Sequence, residues 1–373
     1  MDLHGVGQKV GILYRMDGKP KHRWLQIHVS TAITLFFITP LVLGAEAQPY
    51  PLWDGHESVA DYAKRVNLPP TKTLDLGGGV KMDLVLIPAG KFIMGTPEHE
   101  KPIVGQIMVG ISGGFLFLAV LLLLFRAWRK GHRLQFSLAL MLVMMFVASV
   151  GVWGGVRWNE ALKHLGGFDN ERPAHEVKLT QPFYMGKFDV TQEQYQQVTG
   201  TNPSQFPGKN NPVETVSWDE AQEFCKKLSE QAKGHIRLPT EAEWEYSCRA
   251  GTKTAHHAGD SEADLARVAW YSANSKGKTH PVGQKEANAF DLYDMHGNVW
   301  QWCQDFYGED YYGKSEAENP QGSSQGAVRL LRGGSWDGLP VYCRSAYRFG
   351  YGPGFRGDII GFRVVVVPSF RTP

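Results

Sequence analysis

Two runs of 23 residues, 103–125 and 134–156, contain no charged side chain. As helices each would be about 34 Å long, enough to cross a hydrocarbon core of about 30 Å. A helix of that length without a polar stripe has no face to offer water, so burial in a soluble core is a poor alternative. The eight residues between the runs, Arg126-Ala-Trp-Arg-Lys-Gly-His-Arg133, carry four Lys/Arg and no acid. Positive charge beside a span marks the cytoplasmic side. The pair therefore reads as a membrane hairpin, 103–158, with both outer ends exported.

The N-terminus points the same way. Residues 25–43 form a third apolar block, preceded by basic Lys19-Pro-Lys-His-Arg23 and followed by Ala45-Glu-Ala47. That order is the pattern of a secretory signal with a small-residue cleavage site, or of an uncleaved anchor. Residues 1–47 carry one of these two functions, and Met16 gives a more ordinary start than Met1. Residues 48–81 then form an exported N-terminal segment, and the expected location is the cell membrane with the globular mass on the periplasmic or extracellular side. The net charge of +2, from 39 Lys/Arg against 37 Asp/Glu, gives no global field for nucleic acid.

Outside the apolar runs the chain is rich in turns, with 42 Gly and 11 Trp. Residues 57–66 fit a short helix, and Met82 to Gly95 fits two strands about a Pro-Ala-Gly turn. Residues 170–179 alternate like a strand. Three later segments begin with a hydroxyl residue and place an acid or amide three residues on: Thr191 with Gln194, Ser217 with Glu220, and Thr240 with Glu243. These are helix starts. Residues 82–95 are too short to fold alone, and Glu100-Lys-Pro102 echoes Glu171-Arg-Pro173. The hairpin thus reads as an insertion into a surface loop of one α+β domain, 82–102 plus 159–373. Surface loops tolerate insertion because closure entropy grows only logarithmically with length.

A series of ordered motifs now bears on identity. Ile87-Pro-Ala-Gly-Lys-Phe-Ile-Met-Gly95 opens it. Arg237-Leu-Pro-Thr-Glu-Ala-Glu-Trp-Glu-Tyr246, Met295-His-Gly-Asn-Val-Trp-Gln-Trp302, Arg332-Gly-Gly-Ser-Trp336, Cys343-Arg-Ser-Ala-Tyr-Arg348 and Gly361-Phe-Arg363 follow. The series resembles the formylglycine-generating enzyme (sulfatase-modifying factor) family. The resemblance implies a C-type-lectin-like α+β fold, poor in regular secondary structure, here interrupted by the two-helix transmembrane hairpin.

The resemblance also implies sites. The family's oxidase holds copper(I) on two cysteines between the Gly-Gly-Ser motif and the Cys-Arg-Ser-Ala segment, and soft thiolates suit that ion. Here that stretch, 336–342, contains no cysteine, so copper is not expected and no catalytic residue is assigned. Cys248 and Cys343 match a disulfide pair of the family. Asn274, Ser275, Asn298, Val299 and Gln301 overlap calcium-binding positions, although Gln301 stands where a carboxylate is common, which weakens a hard-cation site. Trp300, Trp336, Tyr342, Arg344 and Arg348 would line the family's peptide groove. His256 and His257 read as exposed turn histidines. The function expected is a membrane-tethered domain that binds a peptide or protein, or acts as scaffold. The alternatives are a formylglycine-type or related metal-dependent oxidoreductase acting on a protein cysteine or small thiol, and a structural subunit of a membrane complex.

Overall fold

A computed structural model describes residues 50–97 and 169–368. The expected signal or anchor and the expected hairpin lie outside these residues. Among the described residues no helix is long and apolar enough to cross a membrane.

The chain begins with helix α1, Val59–Arg65, capped by Ser58, which accepts from the Asp61 N–H. Strands β1, Thr71–Gly77, and β2, Val80–Ile87, form a hairpin. Its turn places Gly77, Gly78 and Gly79 all at positive φ, a conformation that side chains resist. After Pro88 and Ala89 comes β3, Gly90–Met94. It pairs antiparallel with β4, His175–Leu179, from Gly90↔Leu179 to Met94↔His175. At the end of the ladder the Thr96 N–H donates to the Glu171 carbonyl at 3.0 Å. Residues on the two sides of 98–168 are therefore main-chain neighbours.

Strand β5, Phe183–Gly186, returns to pair with β2. Helices α2, Gln192–Thr199, α3, Trp218–Ala232, and α4, Glu241–Arg249, each start with a complete capping box, on Thr191/Gln194, Ser217/Glu220 and Thr240/Glu243. Each box satisfies N–H groups that the first helical turn leaves open. Strand β6, His235–Arg237, lies between α3 and α4. A short helix α5, Glu262–Val268, leads into β7, Ala269–Trp270. The remaining strands are β8 (His296–Gly297), β9 (Trp300–Phe306), β10 (Arg329–Arg332), β11 (Phe349–Tyr351), β12 (Ile360–Gly361) and β13 (Val365–Val367).

The main sheet has the order β1-β2-β5-β13-β6, antiparallel throughout. The last strand is thus near its middle, flanked by strands about 130 and 180 residues earlier in sequence. A second sheet runs β11-β10-β9-β12, and β3–β4 and β7–β8 are separate pairs. One face of the main sheet meets α2 and α3 in a cluster of Leu84, Leu86, Phe224, Leu228 and Phe362. Val85, Ile87 and Met185 enter a second cluster with Trp244 of α4. The alternation of a two-sided strand divides these residues between the clusters. The mixed α/β content agrees with the expected α+β class, with long irregular connections between short elements.

Candidate functional site

Trp300 on β9 sits under a row of rings. Its centroid lies 5.9 Å from Tyr347 and 5.4 Å from Phe349. Tyr342, in the 3₁₀ turn Pro340–Cys343, meets Tyr347 edge-on at 5.1 Å. On the other side Phe349 meets Tyr351 at 5.0 Å, and Tyr351 stacks on Phe355 at 4.1 Å. Trp300 and Tyr347 are buried, Tyr342, Phe349 and Tyr351 are half-buried, and Phe355 is 41 % exposed. Leu339, immediately before the 3₁₀ turn, is 54 % exposed. Six rings thus form a continuous aromatic row, partly buried and open to solvent at its Phe355 end, of which Trp300 and Tyr342 were expected to line a groove. Trp336 does not belong to the row. Its indole N–H donates to the Asp358 carbonyl at 3.0 Å, and its ring abuts Phe206.

Arg344 and Arg348 correct the expected groove. The Arg344 guanidinium grips both oxygens of Glu171, at 2.7 and 2.8 Å, in the interior. Arg348 does the same with Glu241, at 2.6 and 3.0 Å, and also donates to the carbonyls of Asn170 and Gly308. Both arginines are buried. Their forks are filled by carboxylates, so neither offers its guanidinium to a ligand on the aromatic row, although Arg344 also lines a narrow polar nook with Thr96 and Thr254. They belong to a larger internal network. Arg332 donates to Glu245 and to the carbonyls of Ala346 and Tyr347. Arg249 donates to Glu245 at 2.9 Å, and the Gly95 N–H donates to the same carboxylate. Burial alone would raise the Glu245 pKa, yet Arg249 and Arg332 hold it below the usual carboxylate range. Asp305 behaves oppositely. Burial, with the Glu241 charge beside it, pushes its pKa up to about 8.

The expected Cys248–Cys343 bridge is also corrected: both are free, buried thiols. The His296 imidazole lies between them. Its Nε2 is 3.7 Å from Cys248 Sγ, and its Nδ1 donates to the Cys343 carbonyl at 2.7 Å. The Cys248 thiol instead faces Ser345 Oγ at 3.6 Å. Burial pushes Cys225, Cys248 and Cys343 up to about 12 and Cys303 well above the usual thiol range. None of the four is a thiolate near pH 7.

His256 and His257 are not exposed. His256 is buried, and His257 lies flat on His296 at 4.9 Å. The His257 N–H donates to His296 Nε2 at 3.2 Å, which leaves His296 with its proton on Nδ1. Burial lowers the His257 pKa to about 4. Their pattern in sequence gave no signal of this, because the partner ring is about 40 residues away. Among the described residues no group of three or more His, Cys, Asp or Glu is arranged to hold a metal ion.

The residues expected near calcium are engaged in closing turns. Asn274 accepts from the Tyr271 N–H and donates to the Ala269 carbonyl, both at 2.9 Å. Asn298 bonds the main chain of His280 in both directions at 3.0 Å. Ser275 Oγ accepts from the Gly277 N–H. Val299 is a buried apolar side chain. Gln301 accepts from the Trp244 indole and from the Arg363 guanidinium, each at 2.7 Å. An oxygen already facing a guanidinium is not one that a hard cation would choose.

Residues 146–367, more than half the chain, match the sulfatase-modifying factor enzyme 1-like domain. The chain belongs to that family. Among curated proteins it is 34 % identical over 226 residues to the serine/threonine-protein kinase pkn1 of Chlamydia caviae, covering 53 % of this chain and 35 % of that one. It is 30 % identical over 224 residues to the chaperone protein LppX of Paenibacillus barcinonensis, covering 46 % and 76 %. To the formylglycine-generating enzyme of Streptomyces coelicolor it is 34 % identical over 171 residues, 41 % and 52 %. The chain thus spans about a third of the kinase relative and half of the enzyme. Among solved structures, Treponema denticola variable protein 1 superposes with a TM-score of 0.59 at 26 % identity, over 80 % of this chain and 100 % of that one. Glu241, Glu245, Arg332, Arg344 and Arg348 of the interior network all lie in the motifs that carry the resemblance. Family membership leaves open what the surface does, since one fold of this kind can carry many functions.

Proposed function

We propose that the protein is a membrane-tethered, exported sulfatase-modifying-factor-like domain that binds a peptide or protein through its aromatic surface. The observation that carries this reading is the row Tyr342–Tyr347–Trp300–Phe349–Tyr351–Phe355, open to solvent at the Phe355 end. Large rings held by their neighbours lose little entropy on binding, and aromatic anchors dominate recognition surfaces. Membrane tethering is supported by the two charge-free runs and the basic octapeptide between them.

The donor set argues against the oxidase chemistry of the formylglycine-generating relatives. Residues 336–342 contain no cysteine, and the four thiols that exist are buried in the protonated form. These residues do not fit a two-thiolate copper centre. Two measurements test the reading. Purified protein supplied with copper should consume no oxygen on a cysteine-containing peptide; one copper per chain with turnover would replace binding by catalysis. Phe355→Ala and Tyr351→Ala should abolish capture of the partner while the melting temperature stays within a few degrees. Unchanged capture would move the binding site off the aromatic row. Proteolysis of intact vesicles should spare the 126–133 connector and cut the globular domain if the hairpin orientation is right.

A further inference from the structure

A cavity of about 410 Å³ opens beside β3, between that strand and the loop leaving α4, and takes in side chains from both faces of the strand. It is built from elements other than those of the aromatic row. Its volume is in the range of small-molecule sites. Phe92, half-buried, meets the Tyr246 ring at 5.4 Å across the floor. Gly90 makes this possible, because a Cβ there would lie 2.1 Å from the Tyr246 hydroxyl. The wall includes Ile93, 44 % exposed and one of only three large apolar side chains open to water among the described residues. Strand alternation explains why Ile93 points outward with Lys91, but not why an isoleucine should stand there without an apolar partner.

The charges at the rim are unequal. Lys91 is paired with Glu176 at 2.9 Å, and Arg249 with Glu245. Lys253, exposed on the loop after α4, lines the cavity and makes no hydrogen bond or ion pair among the described residues. Lys253 and Arg249 also line a narrow polar nook that adjoins the cavity and contains Thr96 and Thr254. Among the described residues, one positive charge without a partner thus stands at the end of an apolar cleft.

We infer that this cavity binds an apolar ligand carrying a single negative charge, an aryl or acyl carboxylate, with its body on Phe92, Ile93 and Tyr246 and its carboxylate at Lys253. Apolar burial supplies the affinity, and the lysine selects the anion. The experiment uses the full-length protein in lipid nanodiscs and 2-naphthoate as probe, followed by ligand-detected NMR, with empty nanodiscs as blank. 2-Naphthoate should bind several-fold more tightly than neutral 2-naphthol or cationic 2-naphthylmethylamine, with the preference shrinking at high salt. Lys253→Gln should weaken naphthoate about three- to tenfold and leave 2-naphthol unchanged, and Lys253→Arg should retain most of the affinity. Ile93→Glu should weaken both naphthoate and naphthol. No binding above the blank, equal affinity for acid and alcohol, or an unchanged constant in Lys253→Gln would each overturn the assignment. Phe355→Ala should leave naphthoate binding intact, so the cavity and the aromatic row stand or fall separately.

Discussion

Removing Arg348 distinguishes an interior clamp from a binding residue. The guanidinium is buried against Glu241, with two contacts of 2.6 and 3.0 Å, and two further donors satisfy main-chain carbonyls of Asn170 and Gly308. Arg348→Ala deletes four charge-assisted bonds and leaves the Glu241 carboxylate buried beside Asp305, which already resists ionising. Breaking a buried pair from one side costs about 3–5 kcal/mol. For a domain of this size that is a fall in melting temperature of about 6–20 °C. Thermal unfolding followed by circular dichroism at pH 7 reads it directly. Glu241→Gln in the same chain removes a charge left with only the Arg332 guanidinium at 3.9 Å and the Tyr312 hydroxyl at 3.2 Å, so the double variant should be less unstable than the sum of the singles, by about 0.5–3 kcal/mol. A melting temperature within about 2 °C of the parent in Arg348→Ala, with ligand capture lost, would refute the clamp and restore the groove.

Further expectations concern protons, thiols, calcium and backbone. Asp305 titrates near 8 when folded and near 3.9 when unfolded, so the folded state holds the extra proton between these values. Its stabilising effect is complete below about pH 4 and is lost as pH rises through 8. Asp305→Asn should therefore flatten the decline in urea-unfolding free energy between pH 5 and 8, and an unchanged slope would contradict the shift. His257 runs the other way: its folded pKa of about 4 makes neutral His257 stabilising above about pH 6.5, an effect lost as pH falls toward 4. Thiol titration in denaturant without reductant should give all four cysteines, whereas two would restore the Cys248–Cys343 bridge. Millimolar calcium should leave the melting temperature unchanged, and a rise of several degrees would show that Asn298 and Gln301 rearrange to bind it. Gly95→Ala should destabilise by about 1–3 kcal/mol, because the residue has φ of 95° and its Cβ would meet the Glu171 carbonyl at 2.4 Å.

Local chemistry was readable from the sequence. Ser217 with Glu220 and Thr240 with Glu243 announce helices because the bonds that cap them span three residues. The β2 and β3 strands were equally plain, since alternation and the Pro-Ala-Gly turn are local signals. Side-chain destination was not. Arg344 and Arg348 have the composition of recognition residues, and only their distance to Glu171 and Glu241, some 170 and 107 positions away, shows them to be interior. The same holds for His257, whose ring is covered by His296, and for the placing of β13 between β5 and β6. The aromatic row was half visible. Trp300 and Tyr347 fall in recognisable motifs and Tyr342 in the stretch between two of them, but Phe349, Tyr351 and Phe355 join them only because β11 folds back beside β10.

The bond from Thr96 to Glu171 has a bearing on how such a chain can evolve. Two points far apart in sequence are held at the spacing of adjacent strands, and the β3–β4 ladder fixes them there whatever chain runs between. The position acts as a socket. The entropic cost of a longer or shorter connection between these two points varies slowly with its length, so the ladder tolerates changes in the length of the chain that joins them. Replacing 98–168 by a short Gly/Ser link offers a direct route to the body alone.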